Sequence, residues 1–483
     1  MTMVDEETID EDTAAEHIHG ICLKTGPPRR VGVELEWLVR DARNPGMPVP
    51  AKRIAAAVTG FSATGLSVTG LSATGVSATG VSATGVSATG FSVTGPAGTK
   101  SSGSWSSVAG LTAVPGLPTS SQPGALPSGA TLTTEPGGQL EISSQPADSL
   151  ADLVDATLAD LAALRSAADS AGLELAGFGL DPVRPPRRVL TLPRYAAMEA
   201  FFDRGGPWGR RMMCGTASVQ VCLDAGDESD GASGYRRRWQ LVHAIGPVLV
   251  AAFANSPLRV GRPTGWRSSR QQVWSHMDPG RTRAPRMDQD PREAWTRYAL
   301  DAQVMCVRQD GSGDWSAPPG LTFRDWVRGG ATDAGRLRRP TVGDLDYHLS
   351  TLFPPVRPHG HLELRMIDAQ RGDGWIVPLA FTSALLADAR ASDAAMAAAE
   401  RLWAGHDAGD CELWRRAAQL GPADPAIARA SRECFEAARA ALSRQSAPDG
   451  VQSAVDAFIE RYADRDRCPA DDQLTPAESQ EAR

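Results

Sequence analysis

Strict two-residue alternation over short runs most constrains what this chain can become. In "VGVELEWLV", an extended backbone puts Val31, Val33, Leu35 and Trp37 on one face. Glu34 and Glu36 then share the other face, roughly 7 Å apart at the usual rise per residue. The pattern recurs three times. In "EPGGQLEIS", Gln139, Glu141 and Ser143 share a face, and Glu135 sits just before a Pro-Gly-Gly turn. In "ASVQVCLDAG", Ser218, Gln220, Cys222 and Asp224 oppose Val219, Val221 and Leu223. In "HLELRMIDAQ", Glu363 and Arg365 oppose Leu362, Leu364 and Met366. Each run needs a core on one side and polar company on the other. Helical segments and long loops separate them. That combination predicts an α+β fold with a largely antiparallel sheet.

Between the strands, "DSLADLVDATLADLAALRSAADSAG" has helical spacing at Leu150, Leu153, Val154, Leu158, Leu161 and Leu164, with Ser149 or Asp148 as cap. A short helix is expected around "RYAAMEAFFDRG", a longer apolar one around "WQLVHAIGPVLVAAFANSP", and Ala-rich helices over 377–465. Residues 1–28 read as a polar tail, with His17 and His19 solvated, and 466–483 as another. A single catalytic domain is expected over 29–465. It is interrupted at 60–130, where a five-residue unit, [F/L/V]-S-[A/V]-T-G, repeats from Phe61 to Gly95 and gives way to Ser, Gly and Pro. Five matches neither the helical nor the strand period, so the segment reads as a low-complexity insertion. It carries almost no ionisable side chain and is not expected to do chemistry.

If the four alternating runs pair in one sheet, five glutamates converge. Such a cluster is stable only with cations, and oxygen-only donors select hard ions such as Mg²⁺ or Mn²⁺. Their spread leaves room for two or more ions, which could clamp a polyphosphate. Any one of these strands alone would describe an ordinary solvated sheet face. A net charge of −8 argues against general nucleic-acid binding. The basic clusters "YRRRW" and "GWRSSR" suit either a small anion or plain surface. Seven scattered cysteines without a CxxC fit reduced thiols, and Cys214 and Cys222 lack companions for a zinc site. The acidic start has no apolar core of a signal peptide, and no run approaches a membrane span. A cytoplasmic protein that does not engage membranes is expected. There is no GxxxxGK[ST], "GFGLDP" is not a dinucleotide fingerprint, and no Ser-His-Asp or Cys-His set stands out. His348 suits a core position as well as a site.

The segments "VGVELEWLV", "TTEPGGQLEIS", "MMCGTASVQVCLD", "FANSPLRVGRPTGWRSSRQQVWSHMDPGRT" and "DYHLSTLFPPVRPHGHLELRMIDAQ" occur in that order. In this they resemble the plant-like glutamate–cysteine ligases, and within them the actinobacterial branch of the ergothioneine pathway. The likeness spans about 29–400, interrupted by the 60–130 insertion. It implies a glutamine-synthetase-like fold, an antiparallel sheet forming a funnel flanked by helices, with metal ions and ATP at its base. By the same resemblance, Glu34, Gln220 and Glu363 hold one Mg²⁺, and Glu36, Glu135 and Glu141 another. Related ligases often carry histidine where Gln220 stands. Asn255, Ser256 and Arg270, with Gln139, match substrate-binding segments, and Arg365 faces the transferred phosphate with Arg270 nearby. The implied reaction joins the γ-carboxylate of glutamate to the amine of cysteine using ATP, by a monomer or weak oligomer. Two rivals stay open: the same chemistry with another acceptor amine, and a catalytically silent protein that binds Mg-nucleotide.

Overall fold

The computed structural model describes residues 8–26, 30–62, 126–309, 313–329, 337–406 and 411–475. Its strands are β1 (Val31–Asp41), β2 (Thr131–Thr134), β3 (Leu140–Ser143), β4 (Leu173–Ala176), β5 (Ser218–Leu223), β6 (Leu258–Arg259), β7 (Arg262–Pro263), β8 (Val356–Pro358) and β9 (Leu362–Asp368). Seven of them form one open sheet in the order β2-β3-β1-β5-β9-β8, with β4 paired to the far end of β1; β6 and β7 make a separate ribbon. Every pairing is antiparallel. This is the α+β, antiparallel architecture that alternation predicts.

The apolar face of the sheet is buried as the two-residue period requires. Val31, Val33, Leu35 and Trp37 of β1 join Leu140 and Ile142 of β3, Val219 and Val221 of β5, and Leu362 and Leu364 of β9 in one core. Each such side chain contributes about 1.5–3 kcal/mol of burial. Helices Leu150–Ser170, Tyr235–Ala244, Gly246–Ala252, Ile376–Ala387, Ala389–Trp403 and Pro425–Arg444 cover that face. The first is capped by Ser149, whose hydroxyl accepts from Asp152 N. The long helix expected around Trp239 is two helices. They meet at Ile245, where Pro247 stands in the first turn of the second and brings no N–H to a continued ladder.

Three boundaries differ from expectation. The N-terminal segment is not simply a polar tail: helix Glu11–Ile21, capped by Asp10, buries Ala14 and Ile18. They pack beside Trp295, Leu300, Phe323 and Trp326. Acids on the outer face disguise an i, i+4 apolar pair on the inner one. His17, expected to be solvated, bonds through Nε2 to Asp346 Oδ1 at 2.7 Å. At the other end, helix Pro469–Leu474 buries Ala470 and follows a buried Cys468 at its N-cap, and Gln473 Nε2 donates to Asn255 Oδ1 at 2.6 Å. Part of the expected C-terminal tail is therefore packed structure. Apart from Phe61 and Ser62, the pentapeptide repeat falls outside the described residues. The flanks of the expected insertion do not: helix Ala51–Ser62 overlaps its start, and Leu126 and Ala130 at its end are buried in the main core.

Candidate active site

The polar face of the sheet gathers the acidic residues. Antiparallel register sets Glu36 opposite Glu141 and Glu34 opposite Ser143 on β3; on the other side Glu34 faces Gln220 of β5. Cys222 faces Glu363 across β5 and β9. Glu135 arrives through the turn between β2 and β3. There Gly138 N donates to Glu135 O at 2.8 Å, and Glu135 N to Gln139 O at 2.8 Å. Gly138 adopts φ 87°, a conformation open to glycine. A Cβ on Gly137 would lie 2.4 Å from the carbonyl oxygen of Cys214, so both glycines are required.

Hydrogen bonds hold three of the five acids in place. Glu36 accepts from Ser218 Oγ at 3.0 Å and from Gln220 Nε2 at 3.1 Å. Glu141 accepts from Thr133 Oγ1 at 2.9 Å. Arg357 grips Glu363 with two bonds, Nε to Oε2 at 2.7 Å and Nη2 to Oε1 at 2.9 Å. Arg365 Nη1 donates to both Glu363 and Gln220. Glu141 is 6% exposed and Glu363 2%.

This crowding shifts the acids in opposite directions. Burial, helped by the charge of Glu363, pushes Glu34 up to about 8. Burial and then Glu36 push Glu135 up to about 7. Burial, with Glu34 and Glu135 adding to it, drives Glu141 well above the carboxylate range. Burial acts on Glu363 too, but Arg357 and Arg365 overcome it and hold that carboxyl well below the range. The acids thus sense one another across four strands. The arginines neutralise one corner of the basin and leave the rest short of positive charge.

A partly buried, all-oxygen donor set short of counter-charge fits a hard divalent cation. As the side chains are placed, no three acidic, histidine or cysteine groups among the described residues converge closely enough to enclose one ion. Ligation therefore requires side-chain adjustment within the basin.

Other expected site residues serve the scaffold. Gln139 is turned inward: Nε2 donates to Thr216 O at 2.9 Å and Met213 O at 3.3 Å, and Oε1 accepts from Gly137 N at 2.9 Å. Its amide is engaged in holding the turn against the segment before β5. Asn255 is likewise committed. Its Nδ2 donates to Gly177 O at 2.9 Å and Ala369 O at 2.7 Å. Ser256 Oγ donates to Asp368 Oδ2 at 2.7 Å and accepts from Arg270 N at 3.1 Å. Ser256 thus forms part of the seat beneath Arg270. Arg270 itself borders the basin: Nη2 donates to Arg365 O at 2.7 Å, and its guanidinium lies over Trp274 at 4.5 Å. His348 is a core histidine, with Nε2 donating to Ala299 O at 2.8 Å. The "YRRRW" arginines pair with Asp290, Asp393 and Asp224.

Sequence reasoning missed Arg357, Asp368 and Arg194. Arg357 sits on a three-residue edge strand between prolines, too short to show a period. Asp368 was hidden by alternation, which assigns it to the apolar face. A register shift opposite Gln220 breaks the period, so Met366 and Ile367 are both core and Asp368 pairs with Ser218 on the polar face. There it accepts from Asn255 N, Ser256 Oγ and Ser268 Oγ at 2.9, 2.7 and 2.9 Å. Arg194 faces Tyr347 at 5.2 Å and favours the charged form of Glu135. It opens a helix far along the chain, with no local signal linking it to the acids.

A family model described as glutamate-cysteine ligase family 2 matches residues 30–482. The glutamate–cysteine ligase EgtA of Mycobacterium tuberculosis is 40% identical over 353 residues, 72% of this chain and 77% of that protein. The chloroplastic glutamate–cysteine ligase of Brassica juncea is 32% identical over 247 residues, 49% of this chain and 46% of that one. A bifunctional glutathione synthetase from Pasteurella multocida superposes with a TM-score of 0.44 at 13% identity, over 95% of this chain and 50% of that one.

Proposed function

The chain belongs to glutamate-cysteine ligase family 2, and from that membership we propose how its acidic basin performs the family reaction. The activity is ATP-dependent joining of the glutamate γ-carboxylate to the amine of cysteine, giving γ-glutamylcysteine for ergothioneine biosynthesis. One observation carries the assignment of the site: strands distant in sequence deliver Glu34, Glu36, Glu135, Glu141 and Glu363 to one polar face, beside two arginines.

A carboxylate is a poor acyl donor, because its leaving group would be oxide. Attack of the γ-carboxylate oxygen on the terminal phosphorus of ATP breaks the phosphoanhydride bond and releases ADP. The resulting acyl phosphate accepts the cysteine nitrogen, loses inorganic phosphate and gives up one amine proton. The family uses ATP and a divalent metal. We assign the metal as Mg²⁺, with Glu34, Gln220 and Glu363 around one ion and Glu36, Glu135 and Glu141 around a second. Bound there, such ions would supply the positive charge that the transferring phosphates and the incoming carboxylate need. Arg365 meets the transferring phosphoryl oxygens, and Arg270, seated on Asp368 and Ser256, orients the glutamate substrate. The raised protonation of Glu34, Glu135 and Glu141 supports this reading: the basin lacks positive charge that divalent cations provide.

A coupled assay of ADP formation, with glutamate plus each of several amines and with and without Mg²⁺, tests the proposal. Turnover that requires both glutamate and Mg²⁺ and is fastest with cysteine supports it. Turnover fastest with a different amine reassigns the acceptor, and absence of ADP with every pair rejects catalysis. No helix among the described residues is long and apolar enough to cross a membrane, and we assign the enzyme to the cytoplasm.

A further inference from the structure

Two of the three groups assigned to the first ion are already engaged. Arg365 Nη1 donates to Gln220 Oε1 and to Glu363 Oε1. Arg357 takes both oxygens of the same carboxylate. The amide nitrogen of Gln220 is spent on Glu36. Because Glu363 is almost wholly buried, these N–H groups stand in for its solvent. Glu34 and Glu135 differ, since no described residue donates a hydrogen bond to either carboxylate. Competition for acceptor oxygens is therefore concentrated at Glu363 and Gln220.

We propose that Arg365 is the resident counter-charge of this corner, and that a divalent ion gains Glu363 and Gln220 only by displacing it. Arg357 remains as the second guanidinium on Glu363 and keeps that carboxyl ionised and aimed. The main chain of Arg365 is held on both sides: its N–H donates to Pro355 O at 2.8 Å, and its carbonyl accepts from Arg270 Nη2 at 2.7 Å. Displacement is thus a side-chain swing, not a strand movement. A guanidinium released from a buried carboxylate needs another anion, and nucleotide phosphate is the anion this site receives. That last step rests on the ligase reading; the exchange at Glu363 does not. The exchange makes ion and nucleotide binding mutually favourable, since each removes a cost the other would meet.

The test is Mn²⁺ binding without nucleotide, read from the loss of the free-ion electron paramagnetic resonance signal, for wild type, Arg365→Gln and Arg194→Gln. Arg194 supplies a positive charge near Glu135 but does not occupy Glu363 or Gln220, so its variant measures general electrostatics. Direct competition predicts that Arg365→Gln binds Mn²⁺ about tenfold more tightly than wild type, the scale of a charge-assisted hydrogen bond, with a smaller change for Arg194→Gln. Equal or weaker binding in Arg365→Gln overturns the proposal, as does equal tightening in both variants. If near-ultraviolet circular dichroism shows that Arg365→Gln is unfolded, Arg365→Lys replaces it. The shorter stem sets the lysine ammonium back from Glu363 and Gln220, so partial tightening is expected, and the absence of any tightening counts against the exchange. ADP formation by wild type is scored separately. ADP without the affinity change sinks the exchange alone; no ADP sinks the ligase reading, while the Mn²⁺ data still judge the exchange.

Discussion

At single residues, a side chain's role depends on where its polar atoms are spent. Glu36 and Glu135 face the basin, and Gln139 faces away from it although it lies two residues from Glu141. Glu36→Gln and Glu135→Gln are each expected to suppress ADP release by about two orders of magnitude or more, the scale of one well-placed electrostatic group. Their circular dichroism should match wild type. Near-normal turnover in both would remove the metal assignment. Gln139→Ala has the opposite signature. It strips partners from Thr216 O and Gly137 N, at a cost of about 1–3 kcal/mol in urea unfolding, while KM for glutamate in the folded fraction stays near wild type. A large rise in KM with unchanged stability would instead place Gln139 in contact with substrate.

At the scale of elements, two short pieces do more than their length suggests. The β2–β3 hairpin carries Glu135 and Glu141 on opposite sides of its turn, and its glycines let the backbone pass against Cys214. The N-terminal helix closes the second apolar cluster, where Ile18 is 1% exposed among Trp295, Phe323 and Trp326. Ile18→Ala is expected to cost about 2–5 kcal/mol, as for other fully buried aliphatic truncations. The check is the urea midpoint. A change below roughly 0.5 kcal/mol, the range of surface substitutions, would return this segment to the status of a tail.

For the whole molecule, the basin ties stability to pH and to cations. Glu34 and Glu135 titrate in the folded protein near 8 and 7, against about 4.3 for an unfolded glutamate. A pKa raised by folding contributes stability that is fully present below the unfolded value and is lost as pH rises through the folded one. In EDTA, the urea midpoint should therefore fall between about pH 5 and pH 8. Glu363, with its pKa held down by Arg357 and Arg365, works the other way, and its contribution disappears only on acidification below the normal glutamate range. Mg²⁺ should raise the midpoint more at pH 8 than at pH 6, because ionised carboxylates bind the ion. Equal stabilisation at both pH values, or a midpoint in EDTA that does not fall across this range, would show that the acids do not act as one charged cluster.

Alternation alone was enough to sort the core-facing from the basin-facing residues of β1, β3 and β5, and of β9 as far as Arg365, because a strand's two-residue period is a local property of the backbone. It carried the α+β class and four of the five glutamates; Glu135 was placed by the Pro-Gly-Gly turn that follows it. Local pattern could not say which distant segments become neighbours. Arg357 on its short edge strand, Arg194 at the start of a remote helix, and Asp368, turned over by a register shift, owe their places to pairing across the sheet. The inward turn of Gln139 and Asn255 was decided the same way. A buried amide goes to whichever carbonyl would otherwise lack a donor, and that partner exists only once the chain has folded.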